Sequence, residues 1–272
     1  MLARLHPVTA DPSPPEWNAA SYHRVSEPQT EWGRKVLSRL VLRGDERVID
    51  AGCGTGRLTD ELMRRLPSGH LVAVDRSRNM LVAATANVRP GPGSRASFVR
   101  VELPHLPFDG WADLVFSAAT FHWVRDHDAL FAGIWRALRP GGRLFAQCGG
   151  GPNLAHALGL AAQVMRAPRF ASHFDGWAGA WQFSGADESA ARLEAAGFVD
   201  VHTSLEQSPA SFADEASYRE FVTTVIYHPH LARLPEGAQR VEFIDEIAAL
   251  AAESTPPFTL DYWRLNLDAR RP

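Results

Sequence analysis

The sequence is short of lysine, of cysteine, of net positive charge and of long apolar runs. Lys35 is the single lysine among 28 basic residues, a bias that suits a GC-rich coding sequence and carries no chemistry. The two cysteines, Cys53 and Cys148, stand in neither CxxC nor metal-ligand spacing, so a disulfide framework and a zinc site are not indicated. No apolar stretch is long enough to span a bilayer. The opening "MLARLHPVTADPSPPEW" has no sustained apolar segment of the kind a secretory signal needs. The expectation is a soluble cytoplasmic protein with no membrane partner. With 28 Lys+Arg against 31 Asp+Glu the formal charge is −3, so the electrostatic footprint of a nucleic-acid binder is missing too.

What is present is an ordinary globular composition, 45% hydrophobic and 22% charged over 272 residues, read as one domain. Residues 7–16 hold four prolines and read as a loose N-terminal arm. Trp32, Val36, Leu37 and Leu40 then recur at helical spacing up to a Gly44-Asp45 stop. From there strands and helices alternate. "RVIDAG" (47–52), "HLVAVD" (70–75), "ASFVRVEL" (96–103), "ADLVFSAA" (112–119) and "RLFAQC" (143–148) read as strands. The runs 56–66, 77–88 and 128–138 between them read as helices, the second opened by Ser77. That rhythm predicts an α/β fold with a parallel sheet covered on both faces. After residue 148 the pattern turns irregular and aromatic. A helix at 187–198 and a strand at 199–208 restore it, and Phe258, Leu260, Tyr262 and Arg264 alternate as in a final strand over 258–270. The core is therefore placed at 34–148, 187–208 and 258–270, with 149–185 and 209–256 as cap insertions that include helices at 213–227 and 236–253.

"DAGCGTGR" (50–57) lies between the first strand and the first helix of that core, where an open α/β sheet binds its ligand. Its glycines run Gly52-x-Gly54-x-Gly56, and Arg57 stands where the third glycine of a dinucleotide GxGxxG belongs. Asp50 just ahead of them would repel a pyrophosphate and suits an amino-bearing ligand. Asp75, at the end of the second strand, can accept from both hydroxyls of a ribose. Glu102, at the end of the third, can accept from the exocyclic amine of adenine, with Leu103 covering one edge of the ring. An amino group, a ribose and an adenine without phosphate describe S-adenosylmethionine.

The run "VIDAGCGTG … VAVDRSRNML … FVRVEL … ADLVFSAATFHWVRDHDALF … LRPGGRLFAQ" resembles the class I S-adenosylmethionine-dependent methyltransferases, and within them the group of trans-aconitate and malonyl-carrier-protein methyl ester methyltransferases. The resemblance covers about residues 17–148 through its motifs. It implies a Rossmann-like, seven-stranded, mostly parallel sheet. It also implies that Asp50, Gly52 and Gly54 hold the methionine part, with Cys53 in the same turn, and Asp75 the ribose. Arg76 and Met80 would border the adenine, and Ser117 and Ala118 the reactive methyl. A segment at 17–33 carrying Tyr22 and Gln29 would close over the cofactor. His122-Trp123 stands where the aconitate-type enzymes more often have Gln-Trp.

His122, near the methyl at the end of the fourth strand, has the pKa class of a general base and is also readable as a structural histidine. An acceptor pocket is expected between the N-terminal segment and the insertions, lined by Tyr22, His122, Trp177, Trp181 and Tyr227. Arg166, Arg169, Arg219 and Arg233 are the cap arginines that could grip an acidic substrate. The expected activity is methylation of a small molecule, on oxygen and possibly on a carboxylate. A nicotinamide oxidoreductase and a silent cofactor-binding module are the alternatives, the first disfavoured by Arg57 and Asp50.

Overall fold

The computed structural model describes residues 16–272; the proline-rich arm expected at 7–16 lies outside them except for Glu16. The main sheet is built from β1 (Arg47–Ala51), β2 (His70–Asp75), β3 (Arg95–Arg100), β4 (Ala112–Ala118), β5 (Leu138–Gly149), β6 (Val199–Gln207) and β9 (Trp263–Arg270). A separate ribbon pairs β7 (Ala210–Ser211) with β8 (Thr259–Leu260). The sheet runs β3-β2-β1-β4-β5-β9-β6. Strands β1 to β5 pair in parallel, and β9 alone runs against both of its neighbours. This is the α/β, Rossmann-like, seven-stranded architecture expected from the sequence.

Successive side chains in a strand point to opposite faces, and here both faces are buried. Val48, Leu71, Leu114 and Phe116 pack on one side against α2 (Glu27–Ser38), α3 (Arg57–Met63) and α4 (Arg78–Asn87). Ile49, Val72, Val74 and Val115 pack on the other, against α5 (His127–Ala137) and α8 (Ala186–Ala195). Each such side chain removed from water contributes roughly 1.5–3 kcal/mol, so uninterrupted apolar strands are what this sheet requires. Ser77 caps α4 by accepting from the Met80 amide, and Asp126 caps α5 by accepting from Ala129.

The cap is a third body of packing. It contains α6 (Ala155–Met165), α7 (Pro168–Ala171), α9 (Glu215–Phe221), α10 (His228–Leu231) and α11 (Ala238–Ala252), around Phe170, Tyr218, Tyr227, Phe243 and Ile247. Short α1 (Ala19–Val25) precedes α2 and contributes Tyr22 to the edge of this cluster. Two expectations need correction. The alternating run 258–270 is not one strand: Thr259–Leu260 joins the small ribbon, and only 263–270 enters the main sheet. Leu260 and Tyr262 alternate because both face the cap cluster. The helix expected at 213–227 ends at Phe221 and continues as a π-helical turn over Val222–Ile226.

Candidate active site

The carboxyl ends of β1, β2 and β4 converge on the glycine turn. The Gly52 and Cys53 amides both donate to the Val74 carbonyl, at 2.9 and 3.0 Å, which ties the turn to the end of β2. Gly52 has φ +84°, and a Cβ there would meet Thr120 at 2.2 Å; only glycine lets the loop after β4 close onto the turn. Gly54 has φ +53°, and a Cβ would meet nothing within 4 Å, because that side of the turn is open cavity.

The cavity, about 360 Å3, runs from Asp75 and Glu102 across Ala118 and His122 to Arg264. Gly52, Gly54, Arg76, Met80, Leu103, Tyr22 and Gln29 also line it. A side chamber of about 60 Å3 opens beneath the turn and is where Asp50 and Cys53 lie, again with Tyr22 and Gln29. Of the cofactor residues expected from the sequence, all but one line one or other of these two spaces, which share Tyr22, Gln29, Gly52, Gly54 and Ala118. Ser117 does not: its hydroxyl donates to the Ala51 carbonyl at 2.6 Å inside the sheet, and it is a packing residue.

The Asp75 carboxylate is set by two backbone donors, Gly54 N–H at 3.0 Å and Ser77 N–H at 2.8 Å, one to each oxygen. Each oxygen keeps a lone pair for a further donor from the cavity. Burial raises the Asp75 pKa, with these two amides pulling the other way. Asp50 is buried against the Thr59 hydroxyl at 2.6 Å, and desolvation pushes its pKa up to about 7. The Gln29 amide nitrogen reaches the Tyr262 hydroxyl at 3.4 Å, while its oxygen is buried with no partner among the described residues. An orphaned acceptor, a glycine opening onto space and a carboxylate with lone pairs to spare fit an amino- and ribose-bearing cofactor.

His122 enters the cavity from the loop after β4, and its Nδ1 accepts the Gly149 amide at 3.1 Å. In the neutral ring the proton then sits on Nε2. Burial holds its pKa well below the usual value, helped by the charges of Arg264 and His127. With Nδ1 taken by the Gly149 amide, this geometry favours the structural reading of His122 over the general base.

The far wall is aromatic. Trp123 and Trp181 lie 5.5 Å apart, and Phe183 stacks on Trp181 at 6.0 Å. Val225 and Ile226 of the π-helical turn complete it. Trp177 and Tyr227 do not line the cavity. Trp177 packs on Phe174 and His230 inside the cap, and Tyr227 is fully buried, its hydroxyl donating to the Ala157 carbonyl at 2.8 Å. The four cap arginines are elsewhere as well. Arg169 pairs with Glu242 and Glu246, Arg219 with Glu215 and Asp245, and Arg233 donates to the His173 carbonyl, while Arg166 is exposed.

Residues missed at the sequence level are Trp17, Thr120, Asn153, Tyr262 and Arg264. Arg264 is the most unusual of them. It is 2% exposed, its guanidinium lies 4.7 Å over the Trp32 ring, and its Nε donates to the Gln147 amide oxygen at 3.4 Å. Its signal in the sequence was a charge inside an apolar strand, "YWRLNL".

Comparison with known proteins agrees with this geometry. A methyltransferase-domain family model matches residues 48–142. A trans-aconitate 2-methyltransferase of Variovorax paradoxus is 35% identical over 136 residues, 48% of this chain and 49% of that protein. Its namesake from Paracidovorax citrulli is 30% identical over 84% of this chain and 86% of its own length. Among solved structures, a Haemonchus contortus phosphoethanolamine N-methyltransferase in complex with S-adenosylhomocysteine superposes with TM-score 0.60 at 17% identity. That match covers 93% of this chain and 57% of the other, and it speaks for the fold. The chain belongs to the class I S-adenosylmethionine-dependent methyltransferases, in the trans-aconitate methyltransferase group. Among the described residues no helix is long and apolar enough to cross a membrane.

Proposed function

We propose that the protein methylates a carboxylate oxygen of a small organic acid. The observation that carries this reading is the placement of His122: the one imidazole lining the cavity among the described residues has its pKa held well below the usual value by desolvation, and its Nδ1 is occupied. A hydroxyl or ammonium acceptor has to lose a proton and needs a base, whereas a carboxylate is already ionised at neutral pH. The names of the curated relatives point the same way, since trans-aconitate is a carboxylic acid.

In this reading Asp75 takes the two ribose hydroxyls, Arg76 and Met80 flank the adenine, and Glu102 and Leu103 take its edge. Asp50, Gly52, Cys53 and Gly54 surround the methionine part, with the Gln29 oxygen as a further acceptor for its ammonium. Ala118 and the His122 Nε2–H border the reacting centre. Tyr22 and Trp17 cover it. When bound, the cofactor would supply an activated methyl on a sulfonium whose sulfur would leave with the bonding electron pair. What this chain adds is alignment and the exclusion of water by its aromatic wall, effects that together reach ~7–11 kcal/mol in favourable cases.

Methyl-labelled S-adenosylmethionine with trans-aconitate as the first acceptor, followed by a panel of small acids, tests the reading. Alkali hydrolyses an ester and releases the label as methanol. Acid-dependent, alkali-labile label is the expected result. Label that survives alkali, or its absence across the panel, would overturn the assignment.

A further inference from the structure

Around His122 the cavity wall is apolar, and the charged groups that line the rest of the cavity are engaged elsewhere. The exposed Arg125 donates from its guanidinium to the Gly179 carbonyl, and Asp126 caps α5. The Asn153 Oδ1 accepts the Trp263 amide at 2.8 Å. Arg76 stands beside Asp75 and Glu102, at the end proposed for the adenine. Arg264 lies over Trp32, which packs on Tyr262 at 4.6 Å, and Tyr262 meets Gln29, at the end proposed for the methionine part. What surrounds His122 itself is a set of rings. Trp123 lies 5.6 Å from it and Phe183 5.8 Å, and Trp181 joins those two at 5.5 and 6.0 Å. The Gln182 amide donates to the His122 carbonyl at 2.9 Å, which pins this run in place. A Cβ on Gly149 would meet the Phe183 ring at 2.9 Å, so the wall closes directly on the end of β5. Leu154, Val225 and Ile226 line the same cavity.

With the reacting methyl beside Ala118 and His122, whatever the acceptor carries next to its reacting carboxylate meets these rings. A second carboxylate there would exchange its water for ring faces and, at most, an indole N–H. An apolar group there releases water from both surfaces. We propose that the acceptor is a monocarboxylic acid whose remaining part is apolar and packs against Trp181, Phe183, Val225 and Ile226. This rests on the carboxylate reading given above and sharpens it: acidity is needed only at the reacting end, and a second acid group is a handicap. The chain order supports the division of labour. Trp181 and Phe183 follow α7, and Val225 and Ile226 follow α9, so the acceptor seat is built by the two cap insertions while the cofactor turn belongs to the sheet.

Calorimetry on the protein loaded with S-adenosylhomocysteine tests this without turnover. The probes are crotonate, cinnamate and trans-aconitate, which share a carboxylate on a carbon–carbon double bond and differ in what lies beyond it. Wild type should bind cinnamate roughly tenfold or more tighter than crotonate, a gain that about 55 Å2 of extra buried apolar surface supplies at about 25 cal/mol per Å2. It should bind trans-aconitate no tighter than crotonate. Trp181→Ala should cut the cinnamate advantage to about threefold or less, with the S-adenosylhomocysteine affinity unchanged as the sign of an intact fold; Trp181→Phe, which keeps a ring, should retain most of it. Cinnamate bound no tighter than crotonate by wild type, or trans-aconitate bound tighter than cinnamate, would overturn the proposal with no variant needed. So would an undiminished advantage in Trp181→Ala. A loss of S-adenosylhomocysteine affinity in that variant would assign the ring to the cofactor and overturn it as well. Tight cinnamate binding with no ester formed from labelled S-adenosylmethionine would sink the carboxylate-methylation reading and leave the apolar seat standing.

Discussion

Asp50 shows how much one residue's surroundings can govern the behaviour of the site. It is 3% exposed, its carboxyl accepts from Thr59, and with burial pushing its pKa up to about 7 its charge responds to pH near neutrality. The sign follows from linkage. A carboxyl whose folded-state pKa is raised stabilises the fold least above that pKa, so its contribution is intact below about pH 4 and is lost as pH climbs through 7. A bound ammonium reverses this by favouring the ionised form. Affinity for S-adenosylhomocysteine should therefore rise between about pH 5.5 and 7, by at most roughly tenfold per pH unit, and level off above. Titrations in buffers of different ionisation enthalpy should show proton release below pH 7, and Asp50→Asn should abolish both effects. A pH-independent wild-type affinity would remove Asp50 from the ammonium site. This residue was legible in the sequence because its place ahead of the glycines is local. The role of Arg264 was not, because what makes it unusual is its burial in space with no carboxylate in ion-pair range among the described residues.

Among the elements, α1 and α2 divide a segment that reads in sequence as one lid over 17–33. Trp32, Val36 and Leu37 of α2 are buried in the body of the protein. Residues 16–25 are tied by smaller contacts: Glu16 to Ser77 at 2.6 Å, Trp17 stacked on His228 at 5.0 Å, His23 to Thr55 at 3.0 Å. These contacts are small and partly exposed, and the polar ones are of the kind worth under about 1 kcal/mol apiece. Only α1 and the residues before it can lift. Bound S-adenosylhomocysteine should slow amide exchange at 18–25, while amides 30–37 stay protected with or without it. Uniform exchange at 18–25 in both states would show that α1 is fixed. The β-strands and α3 to α5 were readable because their apolar positions follow a simple period. The break at Phe221 was not, because a π-helical turn changes the hydrogen-bond register without changing composition.

At the scale of the whole molecule, two of the three packed clusters clasp the sheet and the third fills the cap. Phe243 is fully buried in the cap, 5.4 Å from Phe170 and 5.7 Å from Phe174. Phe243→Ala should cost about 3–5 kcal/mol in urea unfolding. The damage should fall on the acceptor side, raising the acceptor KM far more than the S-adenosylhomocysteine Kd. Equal losses of both would show that cap and sheet do not respond separately. The parallel direction of β1 to β5 could be anticipated from sequence, since helices separate most of these strands. The end of the chain could not, because two strands of different sheets share one alternating run. That last strand also sets an order of events during synthesis. With β9 threaded between β5 and β6, a growing chain carries β5 with one raw edge and β6 with no sheet neighbour until residues 263–270 have left the ribosome. Open edges of this kind recruit other chains, so the seconds before residues 263–270 emerge are when β5 and β6 are most exposed to aggregation, and any pause in translation ahead of residue 263 prolongs them.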